Sequence, residues 1–201
     1  MISSTTIPID EVTTAYLENT DDACNGMKAT LRMPDNQTIA ESKQSWEKLD
    51  NSHIEVPKIQ TSVMDVAAYI VEKVGEISIE KLQKLVYYCQ AWSLVWDDMP
   101  IFSEPIEAWI SGPVVRKLFY FFQGRFMIES VPVGSPRRLS DIQCKTIDSV
   151  LEFYGGKSSC ELREIVRLED PWNITRRGMM PEMRGNREIP MQTIYNYYSS
   201  L

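Results

Sequence analysis

The chain has 201 residues, with 21 Lys and Arg against 28 Asp and Glu, for a formal net charge of −7. Five Trp, nine Tyr and six Phe exclude a wholly disordered polypeptide, because that much apolar surface can offset the entropy of ordering, and nine Gly with eleven Pro exclude a collagen-like repeat. The acid excess argues against a protein that coats nucleic acid, since neutralising phosphates needs clustered cations, so nucleic acid is not expected as a partner.

The sequence changes character near residue 62. Residues 1–62 carry 10 acidic and 5 basic side chains and few apolar ones, so they read as an acidic N-terminal extension, either an arm that packs on something or a mobile segment. Asp10 to Glu18 and Ala40 to Leu49 have the spacing of short helices, too short to stand alone, and Asp50 to Gln60 reads as a linker. The first residues, MISSTTIPIDEV, lack a basic stretch followed by an apolar core, and no run reaches the length that spans a bilayer. A cytoplasmic location with no membrane contact is therefore expected. Cys24, Cys89, Cys144 and Cys160 are far apart, which reads as four reduced thiols.

From Val63 the helical pattern is strong. Ser62 with Asp65 predicts an N-terminal cap, and Val63, Val66, Ala67, Ile70, Val71 and Val74 follow helical spacing up to Gly75. Ser78 caps a second helix, Ile79 to about Trp96, apolar around most of its circumference and so predicted to be central and buried. Pro100 to Gly112 reads as irregular with a short strand, and Pro113 as the first residue of a helix that buries Val114, Val115, Leu118, Phe119 and Phe122. Gly124 to Leu139 reads as loop. Ser140 with Gln143 predicts a capped helix to Tyr154, and Ser158 with Glu161 another through about Leu168. Asp170-Pro171-Trp172 ends that helix and is a candidate start of a short one, 178–190 reads as loop, and Pro190 opens a last helix with Met191, Ile194, Tyr195, Tyr198 and Leu201 on one face. The predicted fold is mainly α: a compact single-domain helical bundle over 63–201 with short β elements, preceded by the extension.

Catalytic signatures are missing from the sequence. It has no phosphate-binding glycine loop, nucleophile elbow or H-E-x-x-H pair, and His53 is the only imidazole. No catalytic residue, metal or cofactor is expected, and the chain reads as a non-enzyme, the alternative being an unrecognised enzyme whose acids or arginines converge only in three dimensions. Its basic residues cluster in the second half, at Arg116–Lys117, Arg137–Arg138, Arg176–Arg177, Arg184 and Arg187. Arg116, Tyr120 and Gln123, flanked by Lys117, line the face opposite the buried one on the helix read from Val114, a pattern suited to recognition. Trp92, Trp96, Trp109 and Trp172 read as core.

Three blocks carry a family resemblance. The run Ile77 to Leu94 (ISIEKLQKLVYYCQAWSL), then Pro100-Ile101-Phe102 with Ile106 to Val114 (IEAWISGPV), then Asp148 to Tyr154 with Ser159 to Leu162 and Asp170-Pro171-Trp172, resemble in order the SocA-like Panacea domain. Met64 to Val74 is similar to that family's opening helix, while Ala91 stands where the pattern has Gly. The resemblance covers 63–201 and not 1–62. It implies an antitoxin of a bacterial or phage toxin–antitoxin pair that binds its cognate toxin directly, with residues 1–62 as a candidate toxin-binding arm. One branch implies a proteolytic adaptor with an ATP-dependent protease as further partner. The motif positions fall here on Gln83, Lys84, Tyr87, Trp92, Trp109, Gly112, Pro113 and Trp172. Together with the exposed stripe they give the expected partner-binding set: Gln83, Lys84, Tyr87, Trp109, Gly112, Pro113, Arg116, Lys117 and Tyr120.

Overall fold

A computed structural model describes residues 61–201. The predicted short helices, linker and toxin-binding arm of the acidic extension lie outside the described residues, apart from Thr61 and Ser62. Within them the chain is mainly helical with short strands, as its patterning predicts.

The first helix, α1 (Val63–Val74), starts where the sequence says it should. Ser62 Oγ accepts from Met64 N at 3.3 Å while Asp65 Oδ2 accepts from Ser62 N at 2.9 Å, so two orphan donors of the first turn are satisfied reciprocally. Asp65 is fully buried and its other oxygen accepts from Ser135 N at 2.8 Å, which ties this cap to the loop 131–138. That loop runs so close that a Cβ on Gly134 would meet Met64 O at 2.0 Å.

A two-residue strand β1 (Ile77–Ser78) leads into α2 (Ile79–Trp96), capped by Ser78 Oγ accepting from Lys81 N at 3.2 Å. Helix α2 is buried from Ile79 to Leu94 apart from Lys81, and it contacts α1 and most of the later elements. Those later elements are β2 (Ile106–Trp109), β3 (Gly112–Val115), α3 (Arg116–Phe121), β4 (Met127–Ile128), α4 (Asp141–Tyr154), α5 (Ser159–Leu168), α6 (Asp170–Thr175) and α7 (Met191–Tyr198). Strand β4 pairs antiparallel with β1. The caps at Ser140/Gln143 and Ser158/Glu161 are formed as predicted.

Two stretches differ from the sequence reading. Pro113, Val114 and Val115 are not the first turn of a helix. They form β3, paired antiparallel with β2 in the register Ile106↔Val115 to Trp109↔Gly112. The proline sits in a strand because the hairpin turn before it is closed by Gly112 at φ +107, a conformation that L side chains rarely adopt. Helix α3 is accordingly short and begins only at Arg116. The stretch 178–190 is also more than loop. Ala108 N donates to Arg187 O at 2.8 Å, Ile110 N to Arg184 O at 2.8 Å and Ile189 N to Ile106 O at 2.7 Å, so it covers the free edge of β2.

The core is one contiguous cluster built on α2, with a satellite of Trp109, Val114 and Phe119. Trp92, Trp109 and Trp172 are buried as predicted, whereas Trp96 is partly exposed and stacks on Trp92 with ring centroids 4.7 Å apart. On α7, Ile194 and Tyr198 are buried but Tyr195 is exposed, as is Leu201 beyond the helix end. Cys89 and Cys144 carry free thiols. Cys160 is disulfide-bonded, which corrects the expectation of four reduced cysteines. Pairing depends on proximity in the fold, which sequence separation does not report.

Candidate functional site

The predicted partner-binding residues divide by depth. Six are interior. Gln83, on the buried face of α2, has its Oε1 accept from Val115 N at 2.8 Å while its Nε2 donates to Val115 O at 3.2 Å. One side-chain amide thus does for the outer edge of β3 what a neighbouring strand would do. Lys84 is fully enclosed beneath the hairpin turn: a Cβ on Gly112 would lie 2.8 Å from Lys84 Cε and 3.1 Å from Val166 Cγ1. Its Nζ has no hydrogen-bond partner among the described residues, and burial lowers its pKa to about 8 against the opposing pull of Glu80. Glu80 lies 3.8 Å from Arg163, both nearly buried. Tyr87 is enclosed, edge-on to Tyr88 at 5.4 Å and to Tyr198 at 6.1 Å. Trp109, Gly112 and Pro113 are buried in the hairpin.

Trp109 organises the satellite cluster. Its Nε1 donates to Glu107 Oε2 at 2.7 Å, its carbonyl accepts from Trp172 Nε1 at 2.8 Å, its ring meets Phe119 edge-on at 4.7 Å, and the Arg184 guanidinium lies 3.7 Å above it.

Arg116, Lys117 and Tyr120 are exposed, side by side on α3. Arg116 reaches Glu107 at 3.3 Å and lies 5.6 Å over the Tyr120 ring, while Lys117 pairs with Glu104 at 2.7 Å. The other oxygen of Glu104 accepts from Val63 N at 3.0 Å, so this face adjoins the point where residues 1–62 join the helical body. Sequence reasoning missed the apolar half of the surface. Phe121 is 43% exposed, Phe126 53% and Met127 41%, next to exposed Arg125. The run Phe119-Tyr-Phe-Phe-Gln-Gly-Arg-Phe-Met127 holds more large apolar side chains than one face of a six-residue helix can bury, and that surplus was the legible signal.

The remaining basic clusters are engaged by the chain itself. Arg176 sits in a cage of carbonyls, donating to Ala108 O at 2.8 Å, Met183 O at 2.6 Å and Arg184 O at 3.2 Å, with Met180 O and Pro181 O slightly farther away. Arg187 donates to Arg177 O at 2.8 Å, and Arg138 lies 3.5 Å from Asp65. Among the described residues no group of three or more His, Cys, Asp or Glu is arranged to hold a metal ion, and no helix is long and apolar enough to cross a membrane.

One buried acid stands apart. Glu169, in the link between α5 and α6, accepts from Tyr198 Oη at 2.6 Å and from Tyr88 Oη at 3.3 Å, and burial pushes its carboxyl up to about 7.

Residues 82–173 match the family model described as antitoxin SocA-like, Panacea domain. The matched stretch runs from the first turns of α2 through the hairpin, α3, α4 and α5 to Trp172, so it contains all nine predicted partner-binding residues. No curated protein and no solved structure matches the chain.

Proposed function

We propose, on the premise that residues 82–173 are similar to the SocA-like antitoxin domain, that this protein is an antitoxin which neutralises its cognate toxin by direct protein–protein contact in the cytoplasm. In this reading the chain acts by binding and carries out no reaction. The observation that carries it is the exposed face of α3 and the turn after it, inside the matched stretch. There Tyr120, Phe121, Phe126 and Met127 lie open beside Arg116, Lys117 and Arg125. Aromatic residues and arginine are the side chains that dominate binding energy at protein interfaces, the rings by burying large surfaces at little rotamer cost and arginine through its planar fork of donors. The interior motif residues Gln83, Lys84, Tyr87, Gly112 and Pro113 serve this surface by fixing the hairpin from which α3 starts. The acidic residues 1–62 act as a partner-specific arm that joins the body beside the same face.

The test is co-purification of the full chain with the product of the adjacent reading frame, repeated for the Phe121→Ser/Phe126→Ser double variant and for a chain lacking residues 1–62. Loss of capture with the double variant, its helical circular dichroism unchanged, is the expected result. Undiminished capture removes the α3 face from the reading, and equal capture without residues 1–62 removes the arm. Toxin half-life in the same cells separates occlusion, which leaves turnover unchanged, from delivery to an ATP-dependent protease, which shortens it.

A further inference from the structure

The helices meet at a cage of phenols closed around one carboxyl group. Tyr87 and Tyr88 come from α2, Tyr154 from α4, and Tyr197 and Tyr198 from α7, the last helix of the chain. Tyr88 stacks on Tyr154 with centroids 3.9 Å apart, and Tyr198 meets Trp92 edge-on at 5.3 Å. Glu169 is 5% exposed at the centre, and the two hydroxyls bonded to its two oxygens belong to α2 and α7. Among the described residues no lysine or arginine pairs with it, and its neighbour Asp170 points to solvent.

We propose that Glu169 is a pH-sensitive latch on the C-terminal helix: its neutral carboxyl, clasped between Tyr88 and Tyr198, docks α7 against α2, and its ionisation loosens α7. A buried carboxylate with no cation beside it carries a desolvation cost that two phenol donors offset only in part. The high pKa of the carboxyl agrees with this. The surrounding phenols are pushed upward by the same burial, so they stay neutral across the range and leave Glu169 as the group in the cage that switches. With α7 undocked, Glu169 is opened to water and returns to its ordinary value near 4.5. The docked state therefore binds more protons between about pH 4.5 and about 7, and docking weakens as pH rises through that window.

The experiment is hydrogen exchange on the 201-residue chain between about pH 5.5 and about pH 8, with protection factors corrected for intrinsic exchange and α4 amides as internal reference. Protection of 194–201 relative to α4 should fall about twentyfold over that span in the native sequence. It should become independent of pH in Glu169→Gln, which keeps the shape and loses the charge. Tyr198→Phe removes the shorter donor to the carboxylate and should move the midpoint to higher pH. A native pH profile that persists in Glu169→Gln, or an unmoved midpoint in Tyr198→Phe, overturns the latch, and so does flat α7 protection in the native sequence.

Discussion

Gly112 and Lys84 are a pair that neither position explains alone. The glycine is at φ +107 and a Cβ there would press on Lys84 Cε at 2.8 Å, so Gly112→Ala combines backbone strain with a steric clash. Chemical denaturation should show a loss of about 2–4 kcal/mol with the denaturant dependence unchanged. Lys84 lies beneath, enclosed and without a hydrogen-bond partner among the described residues. Its folded pKa is about 8, below its ordinary 10.5, so the native state binds fewer protons than the unfolded chain between those values. Its burial therefore destabilises the fold at neutral pH, and stability should rise with pH from about 8 to about 10.5. Lys84→Met keeps the volume, removes the charge and should abolish that rise while leaving the protein at least as stable at pH 7. Urea titrations at about pH 7 and about pH 10 check both statements.

The three helices that open on a reciprocal capping box were legible because such a cap is local. Ser62 with Asp65, Ser140 with Gln143 and Ser158 with Glu161 are each three residues apart, and the hydrogen bonds they form need nothing from the rest of the chain. The hairpin was not legible, because two distant partners decide it. Gln83 closes the outer edge of β3 from α2, and residues 184–189 close the edge of β2 from the far end of the chain. Arg176 holds that last segment through its carbonyl contacts. Removing the guanidinium leaves the buried Ala108 carbonyl and several part-buried ones short of a donor, so Arg176→Ala should cost about 2–4 kcal/mol. It should also speed amide exchange at 187–189 more than in α1. Arg176→Lys, with fewer donors and no planar fork, should recover only part of the loss. Equal exchange at both places in Arg176→Ala would show that the segment is held by its strand pairing alone.

Charge is unevenly spread over the whole molecule: residues 1–62 carry −5 of the net −7, leaving −2 on the helical body. On the α3 face, Glu107 and Glu104 already neutralise Arg116 and Lys117, while the exposed aromatic rings are open. Contact through the helical body should therefore be driven by apolar burial and respond weakly to salt. Raising ionic strength from about 50 mM to about 500 mM should change the Kd of a chain lacking residues 1–62 for its partner by less than about tenfold. The full chain should show a steeper slope if the acidic arm contributes. A steep slope that persists without the arm would assign the binding to the cations of α3 rather than to its rings.

By itself the sequence determined where α1, α2, α4, α5 and α7 begin, that α2 is the buried axis, and that residues 63–201 resemble an antitoxin-like pattern. All of these depend on periodicity, caps and motifs that act over a few turns of chain. Only the tertiary structure decided that Gln83, Lys84 and Tyr87 face inward, that Pro113 lies in a strand, that Arg176 is a clamp and that Glu169 sits among phenols. The physical reason is that a polar side chain takes its role from the partner it meets when buried, and these partners lie tens of residues away along the chain.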